Sequence, residues 1–349
     1  MRIPFKLAVL AAGVTVFALA GCSAAVKPVE SKPTSSLTSD GALTLYSGRD
    51  EKLVQPLVDM FEEQSGIEVE VRYGNTAELG ALLLEEGDQS PAQVFLSQDA
   101  GALGALSNAG LFTTLPTATT SAVRAGFTST DDTWVGVTGR ARVIVYDGQE
   151  MKADEVPISV DAFADPEWAD RFGIAPTNAS FQSFITAYRV LNGEQAADAW
   201  VAAVAANSPK IFDNNRAILA AVNEGVIDAG LINHYYWFAQ AAETGEENMR
   251  AQLSYPEAGD PGSMVNVTGA GILTNGSTDA DALEFIDFLV SPAAQQYFVD
   301  ETFEYPLIEG IDAPDGLPSL DSLVNPDLDL ADLEPLEVTQ EMLSRHGLI

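Results

Sequence analysis

The sequence predicts an α/β protein of two lobes, each a central sheet flanked by helices, with a ligand cleft between them. Three patterns carry that expectation. Short apolar runs alternate with helix-period segments from Leu43 to a helix opened by Asp99 or Ala100, the β-α-β-α-β-α order of a helix-covered parallel sheet. The alternation resumes beyond Gly173. Two long extended segments, Trp134–Tyr146 and Val265–Leu273, are suited to carry the chain out of the first lobe and back, so two linked lobes share a hinge.

Leu43-Thr44-Leu45-Tyr46 reads as the first strand. Pro56 fits a helix only near its first turn, so that helix is expected to begin near Lys52 or Leu53. Leu57, Met60 and Phe61 then face inward, and Gly66 ends it. Glu68–Tyr73 alternates as a strand, Thr76–Glu86 places Leu79, Leu82 and Leu83 on one helix face, and Pro91–Ser97 reads as the third strand. In the second lobe, Gly173–Pro176 closes a strand, and Ser180–Leu191, Glu194–Asn207 and Ala217–Glu224 read as helices. Val226–Ile232 is an apolar run of strand length. Asp281–Val290, Pro292–Val299 and Val338–Arg345 are the remaining helices, the last after Pro- and Asp-rich connections. The lobes are expected to divide as 43–142 with 266–316 and 143–265 with 317–349. No internal repeat is evident.

The 349 residues suffice for two cores, and 46% hydrophobic with 19% charged residues is a globular composition. A net charge of −34 argues against a nucleic-acid partner and fits either cation handling or adaptation to salt. Residues 1–21 read as a signal peptide: Arg2 and Lys6 precede an apolar run, Leu7–Ala20, that is short for a membrane span. It ends in Leu19-Ala20-Gly21-Cys22, which resembles the bacterial lipobox and implies cleavage before Cys22 and a lipid on its thiol. Cleavage removes two basic residues and no acid, leaving 15 basic against 51 acidic, or −36. Cys22 is the single cysteine, so no internal disulfide or cysteine metal site exists. Residues 22–42, rich in Ser, Thr, Pro and Ala, read as a flexible tether.

The stretch with most chemistry is Asn233-His234-Tyr235-Tyr236-Trp237, at a strand-to-helix junction where α/β proteins place ligands. At a helix start two adjacent rings lie about 100° apart, so both hydroxyls can reach one object. A phenolate is a hard oxygen donor suited to a hard cation such as Fe(III). With a free pKa of about 10, a phenol ionises near neutrality only where a cation stabilises the anion. Two aromatics closing a core is the competing reading. His234 is either a ligand or a residue that orients the turn, and His346 reads as a surface group. Of Arg140 and Arg142, one is expected to line the cleft. No Ser-His-Asp order, phosphate-gripping loop or zinc-spaced histidine pair occurs, so an enzyme is not expected.

Several segments resemble the ferric-iron-binding proteins of bacterial ABC importers, which have the two-lobed, type II periplasmic-binding-protein fold. They are Leu45-Tyr46-Ser47-Gly48-Arg49, Glu85–Ala92, Gly139-Arg140-Ala141-Arg142-Val143 and Ala175–Gln182. Asn233-His234-Tyr235-Tyr236, Asp260-Pro261-Gly262 and Glu304-Tyr305-Pro306-Leu307 complete the set, in consistent order from about Leu43 to the C-terminus. The resemblance implies that Tyr235 and Tyr236 are iron ligands and that a synergistic anion, carbonate or phosphate, completes the coordination. It implies anion contacts from Asn178, Ala179, Ser180, Asn215 and Asn233; helix-start N–H groups attract anions in any case. Arg49 either pairs the anion in a bidentate manner or makes a surface ion pair.

The chain departs from that family where many relatives have a histidine after the Ser-Gly-Arg run; here Asp50 stands there, as a carboxylate ligand or a helix cap. Gln98 stands near a glutamate of relatives, and Asn178 and Phe181 stand where others recruit a third tyrosine. The expected protein is a monomer, anchored by its lipid to the outer face of the cell membrane, that captures Fe(III) and delivers it to an ABC importer permease. The alternatives are another ligand in the same fold (another metal, an oxyanion or a polyamine) or a cell-surface enzyme.

Overall fold

Leu43–Ser47 (β1) enters the core with Leu43, Leu45 and Tyr46 buried, in a computed structural model that describes residues 41–323, 328–333 and 336–349. The expected signal peptide, Cys22 and most of the tether lie outside the described residues. Asp50 caps Glu51–Ser65 (α1) by accepting the Lys52 N–H, and Gly66 closes it in the left-handed conformation. That cap starts the helix before the expected Lys52 or Leu53 and moves Pro56 into its second turn. Pro56 is exposed there, so water can take the Lys52 carbonyl that its missing N–H leaves free. Val69–Tyr73 (β2), Thr76–Glu86 (α2), Val94–Ser97 (β3) and Ala100–Asn108 (α3) follow, with Asn75 and Asp99 as caps. A single turn, Thr117–Thr120 (α4), precedes Val135–Asp147 (β4).

Beyond β4 come Phe172–Ile174 (β5), Ala179–Asn192 (α5), Glu194–Ala206 (α6) and Lys210–Ile211 (β6). Asn215–Asn223 (α7), Ala229–Asn233 (β7), Tyr235–Thr244 (α8) and Ala251–Ser254 (β8) lead to Val265–Ile272 (β9). The chain closes with Ala280–Leu289 (α9), Pro292–Tyr297 (α10), Tyr305–Pro306 (β10) and Leu336–Arg345 (α11). The short strands β6, β8 and β10 were not expected from the sequence. Among the described residues no helix is long and apolar enough to cross a membrane.

Strand order explains the two-lobed architecture. β2, β1 and β3 are parallel, β9 runs antiparallel beside β3, and β4 runs antiparallel beside β9. β4 changes partner midway: Val135–Ala141 pairs with β9, whereas Arg142–Tyr146 pairs with β7. β7 continues in parallel through β5 to β6. β8 covers the other edge of the second half of β4, and β10 that of the first. One strand, buried at all its positions, thus supplies an edge to each half-sheet.

The tyrosine-bearing turn is placed by β7 and α7. A Cβ on Gly230 would stand 2.2 Å from Ile218 Cγ2 and 3.2 Å from the Gly173 carbonyl oxygen, so β7 lies against both because the residue has no side chain. Gly230→Ala is expected to destabilise the metal-free protein by about 1–3 kcal/mol through overpacking. The check is a lowered urea midpoint at unchanged slope.

Candidate metal centre

β7 ends at Asn233, and Tyr235 and Tyr236 are the first two residues of α8. Their rings stack, with centroids 4.1 Å apart at 29°. Tyr235 is buried and Tyr236 partly so. The turn is held from below: Trp237 donates its indole N–H to the Ala251 carbonyl at 2.7 Å. His234 is fully buried, with Nδ1 accepting the Ala141 N–H at 3.1 Å and Nε2 lying 2.8 Å from the Phe303 carbonyl. A carbonyl can only accept, so Nε2 carries the proton and the ring is neutral; burial pushes its pKa down to about 4. With both nitrogens engaged, His234 orients the turn, the second of its two sequence readings.

Three guanidinium groups are buried around the pair. Arg49 donates from Nη2 to Glu304 Oε1 at 2.6 Å and from Nη1 to the Thr268 hydroxyl. Burial opposes charge on Arg49, but the Glu304 carboxylate outweighs it and raises the pKa; Glu304 is held low in return, against its own burial. Arg140 gives Nη2 to the carbonyls of Gln98 and Val267, while its Nε and Nη1 are buried without a partner. Burial, then the neighbouring Arg49 charge, lowers its pKa, with Glu304 and Tyr235 opposing. Arg142 donates to the Leu231 carbonyl at 3.1 Å and to Ser180 Oγ at 3.3 Å, over the faces of Phe181 and Phe184. Burial pushes Arg142 down to about 9, with Tyr236 opposing. The sequence assigned one of these two arginines to the cleft; the structure brings both to the tyrosines, since residues two apart share a strand face.

Burial, then the neighbouring Tyr236, raises the pKa of Tyr235 well above the ordinary phenol value, against the pull of Arg49 and Arg140. Without a cation Tyr235 is therefore a neutral phenol, and a metal that binds it must displace a proton. Among the described residues, no group of three or more His, Cys, Asp or Glu side chains could hold a metal.

Of the residues expected to bind an anion, Arg49 is held by Glu304 and Thr268, and the others group near Arg142. Asn178 caps α5 by accepting the Ser180 N–H at 3.1 Å and the Ser180 hydroxyl at 2.6 Å. Asn215, at the start of α7, donates Nδ2 to Ser180 Oγ at 3.1 Å and leaves Oδ1 buried and unpaired. Ala179 opens α5, and Asn233 lies opposite Arg142 in the β4–β7 register. Asp50 is the outlier. Its Oδ1 caps α1 at 3.1 Å, and its Oδ2 is 3.9 Å from Nη2 of Arg216, whose guanidinium stands over the Tyr236 ring at 5.8 Å.

Two cavities adjoin here. The larger, about 600 Å³, runs from Arg49, Asp50, Thr76 and Gln98 across to Asn178 and Asp213. The tyrosines line a smaller one of about 190 Å³, with Leu53, Arg216 and Glu301. The larger is thus not lined by the phenols; Asp50 lines it, and Arg216, 3.9 Å away, lines the smaller. Glu304 was quoted in the sequence only as a family match, and its contact with Arg49 spans 255 residues, so no local signal disclosed it.

A cleft between two half-sheets that share β4, bordered by oxygen donors and buried cations, defines an extracytoplasmic solute-binding protein of the two-lobed type II class rather than an enzyme. The chain belongs to the family described as bacterial extracellular solute-binding protein, whose profile matches residues 89–331. It is 33% identical over 313 residues to the Fe(3+)-binding periplasmic protein of Serratia marcescens, covering 89% of this chain and 92% of that one. It is 32% identical over 308 residues to the major ferric iron-binding protein of Neisseria meningitidis serogroup B, covering 88% and 93%. Iron-bound HitA from Pseudomonas aeruginosa superposes with a TM-score of 0.84 at 31% identity, over 88% of this chain and all (100%) of that one. The Trichodesmium protein IdiA, solved with iron and citrate, gives 0.76 at 28% identity, over 88% and 100%.

The cap geometry of Asp50 generates a stability test. Asp50→Asn is expected to leave the metal-free protein within about 0.5 kcal/mol of the parent, because asparagine caps as well, whereas Asp50→Ala loses about 1 kcal/mol. Urea unfolding of the three proteins reads the difference; equal losses in both variants would mean that the carboxylate charge, not the cap, matters.

Proposed function

We propose that this protein captures Fe(III) through the phenolate oxygens of Tyr235 and Tyr236, together with a synergistic anion, and passes it to the permease of an ABC importer. The observation that carries the proposal is the stacked tyrosine pair set among buried guanidinium groups. Phenolates are hard donors matched to a hard trivalent cation, and the relatives named for ferric iron share most of the chain's length.

The anion follows from charge. Arg49 is matched by Glu304, but Arg140 and Arg142 have no carboxylate within salt-bridge distance among the described residues. Two phenolates offset those two cations and leave a trivalent ion still to be balanced. Carbonate or phosphate offsets most of that charge and can accept from the unpaired N–H groups of Arg140 and Arg142. Asn178, Ala179 and Arg49 line the larger cavity, Ser180 bonds both Arg142 and Asn215, and Asn233 lies opposite Arg142 in the sheet. Asp50 stays at the cleft as a cap rather than a ligand. The lobes divide as 43–142 with 266–316 and 143–265 with 317–349, and their closure sequesters the ion. The protein works as a monomer tethered at the outer face of the cell membrane by a lipid on Cys22.

Ferric citrate added to the purified protein is expected to produce a visible phenolate-to-iron charge-transfer band. Tyr235→Phe and Tyr236→Phe should each bleach it and weaken binding by more than the roughly 10- to 100-fold typical of outer-sphere changes. A double variant that keeps colour and affinity overturns the assignment. In anion-stripped protein, binding should depend on added carbonate or phosphate; anion-independent uptake would remove the anion from the proposal.

The anchor has its own test. Cys22→Ser should leave iron binding intact and release the protein from membranes, since each buried acyl methylene contributes about 0.8 kcal/mol. A variant that still fractionates with membranes counts against lipidation.

A further inference from the structure

Glu304-Tyr305-Pro306-Leu307 belongs to the family likeness, yet iron capture by the tyrosines makes no use of it. The chain reaches it in an unusual way. α10 runs into a π-helical turn, Phe298–Thr302, which ends on Phe303 with φ 57°, a left-handed conformation uncommon for a bulky residue. The two residues at that corner hold two different parts of the metal centre. The Phe303 carbonyl accepts the Nε2–H of His234 at 2.8 Å, and His234 immediately precedes Tyr235. The other ring nitrogen of His234 is fixed by the N–H of Ala141, where β4 leaves β9 for β7.

The next side chain, Glu304, is fully buried and holds Arg49: Oε1 takes Nη2 at 2.6 Å, and Oε2 is 3.4 Å from Nη1. The Thr138 hydroxyl donates to the same Oε2 and fixes the carboxylate plane. Thr268 provides a second hold on Arg49. The residue so fixed lines the larger cavity, opposite Asn178 and Ala179 at the start of α5. Two consecutive residues, Phe303 through its carbonyl and Glu304 through its side chain, therefore bond to the turn carrying the phenols and to the Arg49 guanidinium.

We propose that Glu304 is a positioning residue of the metal centre, acting through Arg49, and that the Phe303–Glu304 corner sets the spacing between that guanidinium and the tyrosine turn. This rests on the ferric reading of the site. Glu304 makes no hydrogen bond to either tyrosine hydroxyl among the described residues; its direct hold on the centre is the hydrogen-bonded ion pair with Arg49. A buried pair serving stability alone would show up in unfolding and not in the coupling between the two residues at the metal.

The test is a double-mutant cycle on the full chain, read by Fe(III) titration with bicarbonate present and by thermal unfolding. Glu304→Gln keeps shape and a hydrogen-bond acceptor for Thr138, and is expected to lower iron affinity roughly 10- to 100-fold, the range for outer-sphere partners. Arg49→Gln/Glu304→Gln should bind no more weakly than Arg49→Gln alone, because the second change acts only through the first. Losses that add, or a Glu304→Gln protein with parental affinity, overturn the proposal. So does bicarbonate acting at lower concentration in Glu304→Gln, which would make Glu304 a charge that competes with the anion. If Glu304→Gln does not fold, Thr268→Val removes the other hold on Arg49 without touching the ion pair, and should weaken binding to a lesser degree; parental affinity there overturns it equally. An iron-free reading comes from the Arg49 side-chain N–H signals in NMR, expected to be resolved in the parent and averaged in Glu304→Gln. A parent protein that takes up no Fe(III) sinks the ferric reading alone, and the Arg49 signals then still decide whether Glu304 fixes the guanidinium.

Discussion

A wholly buried strand that carries two arginines is the constraint on which the rest of the molecule depends. Removing a guanidinium from water costs several kcal/mol after relaxation, and arginine is almost never fully buried unless paired. β4 nonetheless buries Arg140 and Arg142 with no carboxylate partner within salt-bridge distance among the described residues. Their side chains leave one face of the strand, but the change of partner at Ala141 and Arg142 gives them different surroundings. Arg140 sits among the carbonyls of Gln98 and Val267 on the Tyr235 side, and Arg142 among Ser180, Leu231 and two phenyl faces on the Tyr236 side. A fold that served only stability would place apolar side chains at both positions. The arginines make sense as standing charge awaiting anions, phenolates among them.

Much of the fold was legible because local chemistry and global architecture agree. Asp50, Asn75, Asp99, Asn178 and Asn214 each precede an apolar-periodic run, and each accepts an N–H at its helix start. The extended run Trp134–Tyr146 was readable as a crossover, since its β-branched residues and two glycines outnumber the helix formers Arg140, Ala141 and Arg142. What could not be read has an equally local cause. β6 and β10 are two residues long, too short for any period to register, and β8 is a four-residue strand with three half-exposed positions. Pro56 misled by its usual preference for a first turn, because an exposed helix face lets water replace the bond that proline removes.

The candidate centre was legible in proportion to how much of it is contiguous. Tyr235 and Tyr236 are adjacent, so a dipeptide at a strand-to-helix junction singled them out as candidates, and Asn178-Ala179-Ser180 marked the start of α5. Chemistry assembled from distant segments left no such trace. Arg49 and Glu304 are 255 residues apart, and Arg142, Ser180 and Asn215 meet only through packing of β4, α5 and α7. Asp50 is the instructive case: its position in the family pattern suggested a ligand and its place before a helix a cap, and the hydrogen bond to the Lys52 N–H is the cap.

The acidic surface and the buried guanidinium groups bear on different steps of the proposed capture. Exposed charges are screened beyond about 8 Å at physiological ionic strength, so a net charge of −34 acts mainly on encounter and solubility. Buried charges are screened far less, so the three guanidinium groups decide what can stay. A bare cation entering among them meets repulsion from Arg140 and Arg142 until the phenols ionise, and burial resists the ionisation of Tyr235. On the proposed reading, a cation of high charge, arriving with or followed by an anion, offsets both costs together. A divalent ion would draw the phenolate out less strongly while facing the same guanidinium groups. On the proposed reading, charge itself is the discriminating feature, and it is built from residues that the core would otherwise exclude.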